Sequence, residues 1–244
     1  MLLIPLLGLA ACSSTPQGDL SAYPEPTYSR DRLVADDIAS RDVAAAVYDP
    51  WEGMNKRIYN FNYHFDRTVF IPVTNGYRRY VPGFIRKGIN NFFNNIRDVR
   101  TLANSILQLK PEKAAQATGR VMVNSTVGLI GFIDVATDMD IPRPNEDFGQ
   151  TLGHWGVGKG PYLVVPFLGP SNLRDGLGLI PDAILQTELY GGFLAKPLRS
   201  TVWIFDSIDT RSQVPFRYYE TGSAFEYETV RWLYSVKRDL DVEK

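Results

Sequence analysis

The sequence predicts a mainly α-helical single domain with no β-sheet of consequence, and three observations lead there. Apolar side chains recur at spacings of three and four through several long stretches. Polar residues fill the positions between them, so each stretch reads as an amphipathic helix. No series of alternating strands and no internal repeat is present.

The first element is not part of the fold. Leu2, Leu3, Ile4, Leu6, Leu7 and Leu9 form a short apolar segment, closed by Leu9-Ala10-Ala11-Cys12 and followed by Ser13-Ser14-Thr15-Pro16. Small residues before a cysteine are how a bacterial lipoprotein signal ends, so residues 1–11 are expected to be removed and Cys12 to carry lipid. Cys12 is the single cysteine among 244 residues and has no disulfide partner. An ordinary buried cysteine is the competing reading, and the polar segment that follows argues against it. No Lys or Arg precedes the apolar run, a departure consistent with a start further upstream. Residues 12–47 are expected to be an acylated leader, a flexible tether over 13–29 and a marginal helix over 30–47. Beyond Cys12 the longest apolar runs, Val127 to Ile133 and Tyr162 to Leu168, fall well short of the roughly 20 residues a spanning helix needs.

The body is expected to begin at Asp49-Pro50 and to run over 48–220, with a C-terminal helix in 221–244. Trp51, Met54, Ile58, Phe61 and Phe65 lie on one helical face. The alternation of Tyr59, Phe61, Tyr63 and Phe65 would suit a strand, but fifteen residues of helical spacing outweigh seven of alternation. A second stripe runs from Phe84 through Ile89, Phe92, Phe93, Ile96 and Val99 to Leu109. Its opposite face carries Arg86, Lys87, Asn90, Asn91, Asn94, Asn95, Arg97 and Asp98, with Pro82 before it and Pro111 beyond. Further helices are expected over 112–126, 172–188, 194–208 and 223–240, while Gly and Pro break 128–192 into short pieces.

Net charge is −1, unevenly spread. Residues 12–50 hold three Lys/Arg against seven Asp/Glu, residues 51–120 twelve against four, and residues 121–244 eleven against sixteen. In an envelope protein a basic segment points to anionic phospholipid headgroups and away from nucleic acid. Solvated helix faces would give the same excess. Likewise, aromatic amphipathic helices suit either a membrane interface or the core of a soluble bundle.

The search for chemistry is largely negative. Gly153 to Gly160 nearly matches a phosphate-binding loop, but Gly160 stands where a hydroxyl is needed and Pro161 follows. There is no G-x-S-x-G elbow. His64 and His154 are the two histidines, and either could be a general base, His154 with Asp147 nearby, or a structural hydrogen-bonder. They do not make a zinc set, and Asp134, Asp138 and Asp140 lack the glycine and distal glutamate of a calcium loop. The expectation is a non-enzyme with no catalytic residue, metal or cofactor.

Several motifs carry a family resemblance. Asp49-Pro50-Trp51-Glu52-Gly53-Met54-Asn55-Lys56-Arg57, then Asn60-Phe61-Asn62, and later Gly131-Phe132-Ile133-Asp134-Val135-Ala136 are three of them. The densest runs from Asp147-Phe148-Gly149-Gln150-Thr151-Leu152-Gly153-His154-Trp155-Gly156-Val157-Gly158 through Leu163-Val164-Val165-Pro166-Phe167-Leu168-Gly169-Pro170 to Leu173-Arg174-Asp175. With Asp209-Thr210-Arg211, this resembles the MlaA/VacJ lipoproteins over about residues 48–220.

The resemblance implies an outer-membrane lipoprotein that maintains lipid asymmetry. It implies a ring of helices in the inner leaflet around an amphipathic channel, beside a trimeric porin, handing phospholipids to the periplasmic carrier MlaC. On that footing Gly153, Gly156, Gly158 and Gly160 are expected to form a gating loop, with a tight static turn as the alternative. Arg86, Lys87, Asn90, Asn91, Asn94 and Asn95 are expected to line the polar path. An acyl-anchored scaffold without a channel, and an esterase using His154 with Asp147, are the competing classes.

Overall fold

A proline at residue 72, two asparagines and a set of polar stripes fix the architecture. The computed structural model describes residues 47–191, 196–220 and 225–243. The expected signal segment, Cys12 and nearly all of the leader lie outside the described residues. In chain order come α1 (Glu52–Phe65), a π-helical turn (Asp66–Phe70), α2 (Ile71–Tyr80), α3 (Gly83–Leu107), α4 (Pro111–Thr126), α5 (Val135–Asp138) and α6 (Phe148–His154). Strands β1 (Tyr162–Val165) and β2 (Gly169–Asn172) follow, then α7 (Leu173–Gly191), α8 (Lys196–Gln213) and α9 (Glu226–Glu243). The protein is mainly α, and the one sheet among the described residues is the antiparallel pair β1–β2.

The helical stripe of Trp51 to Phe65 falls on α1, and the helix continues beyond it without a break through the π turn into α2. Pro72 explains the widened turn. It has no N–H and its ring presses on the carbonyl four residues back, so the helix dilates to pass it, and Ile71 N–H reaches Asp66 O five residues away. Asp66, where the dilation begins, is buried.

Between 128 and 192 the broken pattern resolves into α5, α6, the hairpin and the whole of α7. The hairpin pairs Tyr162 with Asn172 and Val165 with Gly169. Its three-residue tip needs a left-handed residue, here Phe167 at φ 67°, and Gly169 follows at φ 91°. Tyr162 to Val165 is rich in β-formers between Pro161 and Pro166, a strand signal too short to stand out from a buried helical run.

Burial is inverted relative to a soluble bundle. Among the described residues, buried polar and charged side chains outnumber buried apolar ones by 28 to 10. On α1 the apolar positions Trp51, Met54 and Phe61 are exposed, while Asn55, Tyr59, Asn62 and Asp66, at spacings of four, three and four, are buried. On α7 the buried line is Arg174, Asp175, Asp182, Gln186 and Tyr190, and on α9 it includes Arg231, Ser235 and Arg238. The long stripe on α3 buries Phe93 and Ile96 but leaves Phe84, Ile106 and the following Leu109 facing out. Apolar packing inside is confined to small clusters, one of Tyr59, Tyr162, Val164 and Tyr227 and another of Phe93, Ile96 and Tyr190.

Candidate functional site: a polar interior under an apolar surface

The interior is assembled from side chains that satisfy one another in groups. Asn55 on α1 reads the edge of β1 like a second strand: its Nδ2 donates to Tyr162 O (3.1 Å) and its Oδ1 accepts from Val164 N–H (2.9 Å). About two helical turns on, Asn62 repeats the contact, donating to Val165 O (3.1 Å) and accepting from Phe167 N–H (2.8 Å). The left-handed tip residue is thereby held by Asn62, with its ring against Phe61 and Phe65. Asp49 completes this end, accepting from Asn55, Tyr227 OH (2.6 Å) and Arg231 (3.0 Å).

The dense motif over 147–175 builds the second group. Asp147 caps α6 by accepting from Gln150 N–H (2.9 Å) and takes both guanidinium nitrogens of Arg238 on α9 at 2.7 and 2.9 Å. The same arginine gives its Nε to Asp175 on α7 (2.7 Å), which also accepts from Tyr234 OH and Asn172. Burial alone would raise the Asp147 carboxyl, but Arg238 and the helix backbone outweigh it and hold the group down at about 2. Asp175 is likewise held below the usual carboxylate range. Gly149 is required for this approach, since a Cβ there would lie 2.6 Å from the Asp175 carboxylate.

A third group surrounds Arg120 on α4, which is almost fully buried. It contacts Asp98 on α3 (3.2 Å), Asp134 (2.7 Å) and Ile141 O (2.7 Å). A fourth lies among α3, α7 and α8, where Asp206 accepts from Arg97, Gln186 and Tyr190, and beside it Arg211 of α8 grips Asp66 of the π turn through two bonds of 2.6 and 2.8 Å. That last pair gives the Asp209-Thr210-Arg211 motif its place.

The residues expected to line a polar path are divided by the structure. Asn90 donates to Asp209 (2.9 Å) and Asn95 to Ser125 (2.9 Å), so these two lie within helix junctions, while Asn94 donates to Asn90 (2.8 Å) one turn back on its own helix. Asn91 donates to Phe132 O (3.2 Å) and Arg86 to Val81 O at the start of its own helix. Lys87 is exposed. The glycines divide as well. Gly156 (φ 86°) and Gly160 (φ 67°) take left-handed conformations, and Gly158 has open space where a side chain would be. Gly153 instead sits where a Cβ would strike Arg174 and Val242 within 2.8 Å. Residues 154–160 are exposed, and no helix follows them that could present an N-terminus to a phosphate.

For catalysis, the pairing of His154 with Asp147 finds no support, because Asp147 spends its carboxylate on Arg238 and Gln150. Asp134 likewise caps α5 and pairs with Arg120. Among the described residues no three His, Cys, Asp or Glu side chains gather as a metal site. Sequence reasoning missed Arg120 and Arg238, and quoted Asn55, Asn62 and Asp175 within motifs without reading their role. Their signal was the polar stripe at helical spacing, which is ordinarily assigned to solvent.

Polar groups paired inside and large apolar side chains outside define a helical body whose surface suits an apolar medium, while no described helix is long and apolar enough to cross a membrane. The chain belongs to the MlaA lipoprotein family, whose family model matches residues 47–241. It is 37% identical over 171 residues to the intermembrane phospholipid transport system lipoprotein MlaA of Shigella flexneri, and 36% identical over 171 residues to that of Escherichia coli, covering 68% of this chain and 66% of each relative. An uncharacterized protein of Rickettsia prowazekii is 37% identical over 129 residues, 53% of this chain and 51% of its own length. The chain thus spans about half to two thirds of these curated relatives. A solved chain from work on the structural basis for maintenance of bacterial outer membrane lipid asymmetry superposes with a TM-score of 0.65 at 32% identity, covering 80% of this chain and 98% of that one.

Proposed function

We propose that this protein removes mislocalised phospholipids from the outer leaflet of a Gram-negative outer membrane and hands them to the periplasmic lipid carrier MlaC. The observation that carries this is the inverted burial: helices with apolar outer faces and polar inner ones can lie in a leaflet and still offer headgroups a wet path. Relatives named as lipoproteins of an intermembrane phospholipid transport system agree with it. In this account Cys12 carries the acyl anchor in the periplasmic leaflet, a trimeric porin stands beside the body, and the passage is an amphipathic channel. Moving a lipid between leaflets needs a path and a gradient, not a bond-breaking residue.

Within the account, Arg86 and Lys87 meet headgroups, while Asn90, Asn94 and Asn95 hold the wall that those residues stand on. Gly156, Gly158 and Gly160 form the movable part of the loop and Gly153 its fixed end. Replacing Gly156 and Gly158 by alanine changes surface phospholipid if the loop gates; an unchanged level removes the gate. The decisive experiment measures outer-leaflet phospholipid in cells lacking the gene, against complementation with wild type and with Cys12→Ala. Accumulation reversed by the wild type alone is expected, and no accumulation in the deletion returns the protein to an acyl-anchored scaffold.

A further inference from the structure

The Gly131–Ala136 motif has no part in the proposed passage, yet its surroundings are unusual. Leu129, Ile130 and Gly131 stand at φ 53°, 60° and 87°, a left-handed turn that a β-branched residue such as Ile130 avoids. Both Leu129 and Ile130 point outward. The turn is held from behind: Gly131 N–H donates to Asn124 O (2.8 Å), Ile133 N–H to Gly128 O (2.8 Å) and Asn91 to Phe132 O.

What the turn delivers is the ring of Phe132. It lies so close over Gly88 of α3 that a Cβ at Gly88 would fall 2.1 Å from the ring. Beneath it is a cavity of about 260 Å³ between α3, α7 and α8, lined by Phe132 with Ile89, Phe92, Phe93, Val202 and Phe205. Tyr190 also reaches this space, but its hydroxyl is turned to Asp206 at 2.8 Å, so it offers the cavity only its ring.

We infer that this cavity holds one acyl chain of a phospholipid and that Phe132 is its displaceable stopper. The assignment rests on the phospholipid reading above and names a site for it. A headgroup inside would have no hydrogen-bond partner, whereas a hydrocarbon chain loses nothing there. The strained turn gives the stopper two places to be, because a backbone held against its preference moves readily once its contacts yield.

The test is photo-cross-linking of the full chain in phosphatidylcholine nanodiscs containing phosphatidylglycerol with a diazirine midway along one acyl chain. Labelled positions are mapped by mass spectrometry. Phe132→Ala should raise labelling at residues 89–96 and 202–205 several-fold over wild type. Gly88→Ala, whose methyl expels the ring, should do the same, and the double variant should exceed neither single one. Val202→Phe, which fills the cavity, should return labelling to background, and circular dichroism checks that each variant is folded. Should Gly88→Ala fail that check, Phe132→Ala and Val202→Phe decide alone.

Unchanged labelling across these variants, or additive effects of the two openings, overturns the site. So does stronger labelling by a free diazirine fatty acid run beside the phospholipid, which would make it a fatty-acid pocket. Label on the outward Ile180 and Ile184 of α7 with none in the cavity overturns the site and leaves the transport proposal standing. No label at either place contradicts both.

Discussion

The junction of α6, α7 and α9 and the junction of α3, α7 and α8 share one long helix and close by opposite means. The first is locked by Arg238 between Asp147 and Asp175, at 2.7–2.9 Å. The second is closed by rings over an apolar cavity of about 260 Å³. Charged hydrogen bonds are directional, and a buried charge left alone is costly, so the first junction has one arrangement. Dispersion contacts have no such direction, so a ring can leave and a chain of similar section take its place. A body of this kind can be rigid where its charges meet and yielding where its rings meet.

Removing the charge from the first junction should have the largest effect. Arg238→Met strands the buried Asp175 and the half-buried Asp147 and should cost about 3 kcal/mol in denaturant unfolding of the detergent-solubilised protein. A loss below about 1 kcal/mol would mean that packing, not charge, locks this junction.

Next come the clamps on the hairpin. Asn55→Ala leaves a buried backbone N–H and C=O of β1 unpaired, at about 1–3 kcal/mol, and Asn62→Ala leaves a partly buried pair at the hairpin tip unpaired, at about 1 kcal/mol. Hydrogen exchange at Val164 and Phe167 should quicken in the matching variant and elsewhere stay as it was.

Acid provides a milder test. Asp147 is held at about 2 against an ordinary 3.8, so its folded pKa is depressed. Its contribution, about 2 kcal/mol, is present above pH 4 and is lost as pH falls from about 4 toward 2. Arg238→Met should abolish that part of the acid sensitivity.

The smallest contrast separates two glycines of one loop. Gly156→Ala must adopt φ 86° and should cost about 1–2 kcal/mol, while Gly158→Ala meets nothing and should stay within about 0.5 kcal/mol.

Much of this was legible from the residues. The periodicity of Phe84 to Leu109 marks α3 to within a few residues, and the expected helices over 112–126 and 172–188 overlay α4 and α7. Amphipathicity, however, does not say which face turns inward. Asn55, Asn62 and Asp66 make as regular a stripe as Met54, Phe61 and Phe65, and the medium decides between them. The α1–α2 continuation was hidden because Pro72 usually ends a helix, and here a π turn absorbs it. Arg238 could not be matched to Asp147 and Asp175 from sequence, since 91 and 63 residues separate them. The dense motif of 147–175 was recognisable long before its reason, which is the close approach of Gly149 and Gly178 beneath those charges.

The central claim, that the apolar outer faces meet lipid while the polar stripes face inward, is tested most directly by nitroxide labels on α7. Labels at Ile180 and Ile184, with a control at exposed Lys237 on α9, would be read in bilayers by collision with oxygen and with a water-soluble nickel complex. The account predicts high oxygen and low nickel accessibility at 180 and 184, and the reverse at 237. Nickel accessibility at 180 and 184 equal to that at 237 would place the apolar surface in water and contradict it.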